Sequence, residues 1–338
     1  MNVPFRTAVL AAMVLTSGVL VLSGQERVES APGAFPVTIE NCGVSTTYLR
    51  PPRRVVTMNQ AATELVLELG LENHLVGTAY LDDAILPAFA ATYRKIPVLA
   101  TMYPSRDELT AVQPDFVFAA YPSAFAPEAA GRRAELGVHS YVSPSSCPED
   151  ARSARISMPV IYRELREIGR IFGVSTRAER NIASYQADIE AIQARIGRVN
   201  ERPRVFWYDA ADRPLAGSCC GAAGEIIRLA GGENVFDDKP GSWAPVSWDE
   251  VVTRNPDVIV IVDASWSPAS QKAKALGVEG HANIEAVKHQ RVITLDFSYT
   301  APGARTAAAV RRLAEALYPE KFAAAHIART VQDPAGVK

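Results

Sequence analysis

The feature of this sequence that most constrains its fold is an internal repeat. A segment starting at Ser105 matches a segment starting at Ser247 without a gap, at an offset of 142 residues. Each copy has a serine followed three residues later by glutamate, then a Pro-Asp pair, then a short apolar run at residues 116–120 or 258–262. This pattern predicts a helix that begins with a capping box, a turn, and a strand buried on both faces.

A second pair of matching segments supports the first. Residues 62–73 correspond to residues 223–234, again without a gap, and in each copy a predicted helix ends near a glycine, Gly70 or Gly231. Two matches in the same order are unlike a solenoid, whose period is far shorter. We therefore predict an α/β protein with two similar lobes, each built on a mainly parallel sheet.

A long helix is predicted between the two copies, at residues 176–199. Its apolar positions recur every three or four residues along one face. They are Ala178, Ile182, Tyr185, Ile189, Ile192 and Ile196. Such a helix is long enough to run along both lobes, although it would also fit inside a single domain. The predicted organisation is a leader at residues 1–24, an N-terminal lobe at 36–172, an interlobe helix at 173–200 and a C-terminal lobe at 201–330.

The N-terminus has the pattern of a secretory signal peptide. Arg6 precedes an apolar stretch at residues 8–22, and the small residues Ser23 and Gly24 follow. A membrane anchor is the alternative, but the apolar stretch is short for a bilayer span. No cysteine lies near the cleavage region, so a lipid anchor is not expected. The sequence predicts export to the periplasm as a soluble protein.

Export changes the interpretation of the four cysteines, because an oxidising compartment favours disulfides. Four cysteines allow three pairings. We favour Cys42 with Cys147, because Cys219 and Cys220 are adjacent in one loop. The adjacent pair could form a disulfide with each other, remain as two thiols, or bond to the first pair.

Charge and histidine content exclude some functions. The chain has 35 basic and 37 acidic residues and a net charge of −2, so nothing suggests a nucleic-acid partner. With five histidines scattered along the sequence, no metal-ligand cluster is predicted. No nucleophile elbow, phosphate-binding loop or paired-histidine zinc motif is present, so an enzyme is not expected. The alternative is a secreted thiol-dependent enzyme that uses the loop at residues 217–221.

Several motifs, in order and spacing, resemble the periplasmic substrate-binding proteins of the iron-siderophore and vitamin B12 group, which serve ABC importers. They are residues 54–64, residues 75–78, the pairs Pro114-Asp115 and Pro256-Asp257, and residues 230–235. The likeness covers essentially the whole chain after the leader. It implies two lobes joined by one long rigid helix, with ligand held in the cleft between them. It also implies a monomer that delivers its ligand to a permease dimer of the inner membrane.

The resemblance and the strand pattern together suggest the ligand-binding residues. Ligands of open α/β sheets lie beyond the carboxyl ends of the strands, and the loops there are rich in aromatic and polar side chains. The candidates are Asn59, Gln60, Tyr80, Tyr103, Tyr121, Trp207, Tyr208, Ser218, Trp243, Trp266, Tyr299 and Arg305. Trp243 occupies the place where vitamin B12-binding members have a ligand-contacting tryptophan. Trp207 fits a core position about equally well.

The resemblance also implies permease-docking carboxylates, one on the outer rim of each lobe. The matching positions are Asp107 and Asp249, and the neighbouring Glu108 and Glu250 could take their place. Simple stabilisation of a helix N-terminus by negative charge is the alternative.

The cargo is the least determined part of the function. The resemblance implies no intrinsic cofactor and, as first choice, a ferric siderophore chelate, with cobalamin second. A narrower likeness is to a branch proposed to bind a precursor of the deazaflavin cofactor F420. Arg305 could then meet an acidic group, and it could equally pair with a ligand carboxylate or simply with a surface aspartate. The residues that carry this likeness are 41–43, 77–83, 146–148 and 301–305.

Overall fold

The computed structural model describes residues 35–125, 137–147, 155–211 and 214–323. The predicted leader at residues 1–24 lies outside these ranges, as does the end of the predicted C-terminal lobe. Within the described ranges, no helix is both long enough and apolar enough to cross a bilayer.

The first half of the chain forms a hairpin and a five-stranded parallel sheet. The hairpin strands are β1 (Val37–Asn41) and β2 (Val44–Tyr48). The sheet contains β3 (Val55–Met58), β4 (Leu75–Ala79), β5 (Val98–Ala100), β6 (Phe116–Ala119) and β7 (His139–Val142) in the order β5-β4-β3-β6-β7. Its helices are α1 (Gln60–Glu68), α2 (Ala90–Tyr93) and α3 (Arg106–Ala111).

Two helices follow, α4 (Met158–Ile171) and α5 (Ser175–Ile196). The second half then forms a six-stranded sheet. Its strands are β8 (Arg204–Ala210), β9 (Leu215–Gly217), β10 (Glu233–Asn234), β11 (Trp243–Pro245), β12 (Val258–Asp263) and β13 (Val292–Asp296). The order is β11-β9-β8-β12-β13 with β10 beside β8. The pairs β11-β9 and β9-β8 are antiparallel and the other pairs are parallel, so β9 alone runs against the rest of the sheet. Its helices are α6 (Ala222–Leu229), α7 (Trp248–Arg254), α8 (Ala269–Leu276), α9 (Glu285–Lys288) and α10 (Thr306–Leu317).

The two halves repeat each other as the sequence predicts. Helix α3 leads into β6 beside β3, and helix α7 leads into β12 beside β8. Both helices begin with a complete capping box, on Ser105 and on Ser247. The fold class is confirmed: this is an α/β protein with two similar lobes and mainly parallel central sheets.

Helix α5 runs from the first lobe to the second. Near its start, Arg177 Nη1 donates to the carbonyl of Leu69 at 2.5 Å, and near its end Arg195 Nε donates to the carbonyl of Lys321 at 2.7 Å. Its 22 residues correspond to a length of about 33 Å. The six apolar residues predicted for its inner face are all buried.

Helix α4 also connects the lobes, in the opposite direction. The backbone N–H of Met158 donates to Glu225 Oε1 of the second lobe at 3.1 Å, which places a carboxylate at the N-terminus of this helix. At its other end, the ring of Phe172 packs edge-on against His74 and Phe116 of the first lobe. Its role as a second connection was not expected from the sequence, which placed residues 158–171 inside the N-terminal lobe.

One apolar core extends through both lobes. It includes Val55 and Phe116 on one face of the first sheet and Val205 and Val258 on one face of the second, together with the inner faces of α4, α5, α6 and α10. Each sheet has a smaller separate core on its other face. Because the main core is shared, large rotations of one lobe against the other would expose apolar surface, so the lobes should move little.

Two disulfides are present. Cys42, in the turn of the hairpin, is joined to Cys147 after β7, as the sequence favoured. Asn41 reinforces this attachment with hydrogen bonds to the backbone of Val142 in both directions, each 2.8 Å long. The adjacent Cys219 and Cys220 are joined to each other, which resolves the three possibilities left open for them.

Candidate ligand-binding cleft

The carboxyl ends of the strands of both sheets face the space between the lobes. A small cavity there is lined by residues of both halves. They are Asn59, Gln60, Ala61, Glu64, Asp82, Tyr121, Ser298, Ala301, Gly303, Ala304 and Arg305. Four of the predicted ligand residues are therefore brought together: Asn59, Gln60, Tyr121 and Arg305.

The first-lobe wall is organised around Asn59. This residue follows β3 directly and has a φ of 76°, in the region that non-glycine residues seldom adopt. Its Nδ2 lies 3.1 Å from the hydroxyl oxygen of Tyr103, which is also 2.9 Å from Ser123 Oγ. The ring of Tyr80 meets that of Tyr103 edge-on, with centroids 4.8 Å apart. Tyr80 and Tyr103, both partly exposed, thus form one aromatic surface whose orientation is fixed by Asn59.

The second-lobe wall carries two exposed tryptophans. Trp243, at the start of β11, is 49% exposed, and Trp266, after β12, is 55% exposed. The ring of Trp266 packs edge-on against Phe297, with centroids 4.6 Å apart. Large aromatic side chains that remain this exposed offer contact area to a ligand.

Tyr121 lies where the two walls approach each other. Burial raises the pKa of its phenol well above the usual range, and the charges of Asp82 in the first lobe and Asp209 in the second raise it further. Burial and the neighbouring charge of Asp83 raise the pKa of Asp82 to about 6. Burial likewise raises the pKa of Asp209, against hydrogen bonding from Trp243. The cleft therefore contains two carboxylates in surroundings that disfavour their charge.

Three predicted ligand residues are buried instead of lying on the cleft surface. Trp207 and Tyr208 are 1% and 0% exposed, because β8 is covered on both faces and consecutive side chains point into different cores. Ser218 is also 0% exposed and donates to the carbonyl of Gly241 at 2.7 Å. The structure places all three inside the second lobe, where they shape the wall from behind.

Arg305 and Gln60 belong to a buried hydrogen-bond network between the lobes. Arg305 Nε donates to Glu64 Oε2 at 2.8 Å, and other guanidinium nitrogens donate to Ser298 Oγ and to the carbonyl of Ala84. Gln60 Nε2 donates to Glu64 Oε1 at 3.2 Å and to the same Ala84 carbonyl at 3.1 Å. Arg305 is only 5% exposed. Its charge is thus neutralised within the protein, contrary to the expectation that it meets an acidic group of the ligand.

Tyr299 is covered by two arginines. The guanidinium carbon of Arg312 lies 4.2 Å from the ring centroid and that of Arg305 lies 5.1 Å from it. Arg312 Nη2 also donates to the Tyr299 hydroxyl at 3.2 Å. The ring is partly exposed, so Tyr299 remains a candidate for ligand contact along its uncovered edge.

The four docking candidates differ in how much of each carboxylate is free. Glu108 and Glu250 each accept hydrogen bonds from the backbone and side chain of their capping serines. Glu250 also pairs with Lys239 at 2.7 Å. Asp107 and Asp249 lie in the first turns of α3 and α7 and are exposed.

Three residues important to the cleft, Glu64, Asp82 and Asp209, were not among the sequence candidates. Glu64 was seen only as part of a repeated helix, and Asp82 only within a motif. The position of Asp209 near the carboxyl end of β8, directly after its buried residues, was a signal for it, but the aromatic residues Trp207 and Tyr208 were chosen instead. In the ranges that the structure describes, these carboxylates do not form a cluster of three or more groups able to hold a metal ion.

Two α/β lobes, joined by helices and enclosing an aromatic cleft, define a two-lobe ligand-binding protein. A family model described as "Periplasmic binding protein" matches residues 55–299, well over half of the chain. The chain therefore belongs to the periplasmic binding protein family.

Individual relatives agree with this membership. An uncharacterized ABC transporter substrate-binding lipoprotein of Bacillus subtilis (strain 168) is 25% identical over 329 residues, covering 94% of this chain and 98% of that one. A cobalamin-binding protein of Halobacterium salinarum is 27% identical over 271 residues, covering 76% of this chain and 68% of its own length. A crystal structure of a periplasmic binding protein from Veillonella parvula is 29% identical, with a TM-score of 0.75, and covers 84% of this chain and 97% of that one.

Proposed function

We propose that this protein is the exported substrate-binding component of an ABC importer. It captures a bulky metal chelate between its lobes and presents it to a permease dimer, acting as a monomer without catalysis. The observation that carries the proposal is the cleft itself: partly exposed aromatic side chains at the facing strand ends of two lobes that share one core. A cleft lined by aromatic side chains with a few fixed polar groups suits a large ligand that is flat or apolar.

The first-choice cargo is a ferric siderophore, and no cofactor resides in the protein. Cobalamin is the second candidate, favoured by the 27% identity to a protein described as cobalamin-binding. A deazaflavin precursor is less well supported, because Arg305 is occupied by Glu64 and does not offer its charge to a ligand.

Asp107 and Asp249 are the docking residues we propose for the permease. Both are exposed and occupy equivalent first turns in the two lobes. Glu108 and Glu250 are committed to capping boxes, so they are less suited to meet arginines of a partner. Charges of this kind set the register and rate of association.

Export places the protein in the periplasm. The Bacillus relative is described as a lipoprotein. In this chain Cys42 is joined to Cys147, so its thiol is not free to carry a lipid.

Ligand binding is the experiment that tests the function. Tryptophan fluorescence is titrated with ferric trihydroxamates, ferric catecholates, cobalamin and a deazaflavin, after native mass spectrometry of protein purified from its own periplasm. Saturable quenching by one class is expected, and Trp243→Ala should weaken binding about tenfold or more. Leu49→Ala is the control, because Leu49 is 78% exposed in the segment between the hairpin and the first sheet. Silence across the panel would contradict the proposal.

A further inference from the structure

Two carboxylates of the cleft come from opposite lobes, Asp82 from the first and Asp209 from the second. The charges of both raise the pKa of the Tyr121 hydroxyl. Asp82 lines the interlobe cavity together with Tyr121, and Asp209 ends the buried part of β8 on the other side. The negative charges of both repel the ionised form of Tyr121. Asp83, the next residue to Asp82, adds a third carboxylate, which accepts a hydrogen bond from the backbone N–H of Ser298 at 2.7 Å.

Among the described residues, Asp82 has no cation of its own, and Asp209 shares one with Asp263. Asp82 takes part in no ion pair there. The cation that attracts Asp209 is Lys272, whose Nζ already donates to the carbonyls of Val262 and Ser267. Asp209 Oδ1 is buried and has no hydrogen-bond partner within the part of the chain that the structure describes. A buried carboxylate oxygen without a hydrogen-bond partner is unfavourable, so a ligand that supplies an N–H or O–H donor to it would gain affinity.

Of the two arginines nearby, one is already neutralised and the other keeps its charge. Arg305 is neutralised by Glu64 and fills its remaining donors with Ser298 and Ala84. Arg312 rests on Tyr299 and donates to its hydroxyl. The ligand-facing side of the cleft therefore combines aromatic faces with three carboxylates, Asp82, Asp83 and Asp209, which outnumber the cations Lys272 and Arg312, and both features attract positive charge.

We infer that the cleft selects neutral or positively charged chelates that carry N–H donors, and that it rejects anionic ones. This inference rests on the proposed function and names the chemical class of its ligand. A ferric complex of three catecholates carries a net charge of −3, because each ligand contributes two negative charges against Fe³⁺. A ferric complex of three hydroxamates is neutral, and corrinoids carry amide side chains. Asp82 and Asp209 hold the ammonium or amide groups of such ligands, and Trp243 and Tyr103 pack against the chelate.

The test uses pairs of ligands that share one core and differ only in the charge of one side group. Ferrioxamine B, a ferric trihydroxamate with a pendant ammonium, is compared with its N-succinyl derivative, which carries a pendant carboxylate. Cobalamin is compared with its monocarboxylic acid in the same way. Dissociation constants are measured by tryptophan quenching and calorimetry at neutral pH. We expect the ammonium or amide member to bind at least about tenfold more tightly than the carboxylate member on any core that binds.

Variants assign the selectivity to the two carboxylates. Asp209→Asn and, separately, Asp82→Asn should reduce the discrimination to about threefold or less. Glu201→Gln removes the same charge at an exposed site and should leave the ratio unchanged. Equal or tighter binding of the carboxylate member, on a core that does bind, would overturn the inference and leave the transport function standing. Binding of a ferric tricatecholate when every member of both pairs fails to bind would also overturn the inference, whereas failure of every ligand of the full panel would count against the proposed function itself.

Discussion

Arg305 and Glu64 are separated by 241 residues in the sequence, yet Arg305 Nε lies 2.8 Å from Glu64 Oε2 in the buried space between the lobes. The side chains are 6% and 2% exposed. Removing one member of such a pair leaves an uncompensated charge away from water, which costs far more than the loss of a surface pair.

We therefore expect Arg305→Met to lower the free energy of unfolding by about 3–5 kcal/mol, and Arg305→Lys to lower it by less, because lysine keeps the charge and loses the planar fork. Urea unfolding measures both. Arg311→Met is the control, since Arg311 and Asp188 are 3.7 Å apart and partly exposed. That change should cost less than about 1 kcal/mol. Similar losses for Arg305→Met and Arg311→Met would show that the buried pair has no special role.

Gly217 permits close packing at the end of β9. A Cβ there would lie 2.5 Å from the Cβ of Ala223 and 2.8 Å from Cδ1 of Trp207. Gly217→Ala should therefore lower the melting temperature and reduce stability by about 1–3 kcal/mol. At Gly280 a Cβ would meet nothing within 4 Å. Gly280→Ala should leave the melting temperature nearly unchanged, and a loss equal to that of Gly217→Ala would refute the packing argument.

Glu164 in α4 gives stability a pH dependence. Burial raises its pKa to about 8, with an opposing hydrogen bond from Ser143 and a smaller contribution from the charge of Glu167. In the pH range between about 4.5 and 8, the folded protein retains a proton that the unfolded chain has released, so stability falls as pH rises.

The variant Glu164→Gln cannot release that proton. It should match the wild type near pH 4 and exceed it above pH 8, by at most about 5 kcal/mol. The measurement is the free energy of urea unfolding of both proteins at several pH values in this range. Parallel pH profiles for the two proteins would contradict the assignment.

A variant with both docking charges reversed should lose permease docking and keep ligand binding. Asp107→Arg with Asp249→Arg is expected to reduce uptake at least about tenfold, by repelling arginines of the permease, while the dissociation constant of the ligand stays the same. Uptake into cells and fluorescence titration of the purified protein measure the two effects. Glu108→Gln with Glu250→Gln is the matched control, which should weaken the capping boxes and spare uptake. Weakened ligand binding in the arginine variant would place these residues in the pocket instead.

The architecture followed from the sequence because it depends on local patterns. The capping boxes of Ser105 and Ser247, the apolar runs of β6 and β12 and the apolar face of α5 are all readable over a few turns or a single strand. The pairing of Cys42 with Cys147 was favoured because Cys219 and Cys220 are adjacent in one loop, and the structure confirms it.

The cleft was harder to predict because it depends on contacts between distant segments. Arg305 looked like a ligand residue since nothing local identifies Glu64 as its partner. Tyr208 was expected in the cleft, and Trp207 in the cleft or the core about equally. The segments that cover the two faces of β8 are distant in sequence, so local patterns did not settle either position. The connecting role of α4 depends on Glu225, 67 residues away from Met158.

The core shared by both lobes has a consequence for how this chain can be divided. Proteins built from two similar halves usually tolerate separation or exchange of those halves, because each covers its own apolar surface. Here the inner faces of α4 and α5 are covered only when both halves are present. A fragment that ends before α5 would expose a large apolar surface to water. A chimera that joins this fragment to the second lobe of a related protein should pack poorly across that surface. Neither lobe can therefore be separated from the other without exposing the shared core. Substitutions in that core on one lobe should be accompanied by compensating substitutions on the other.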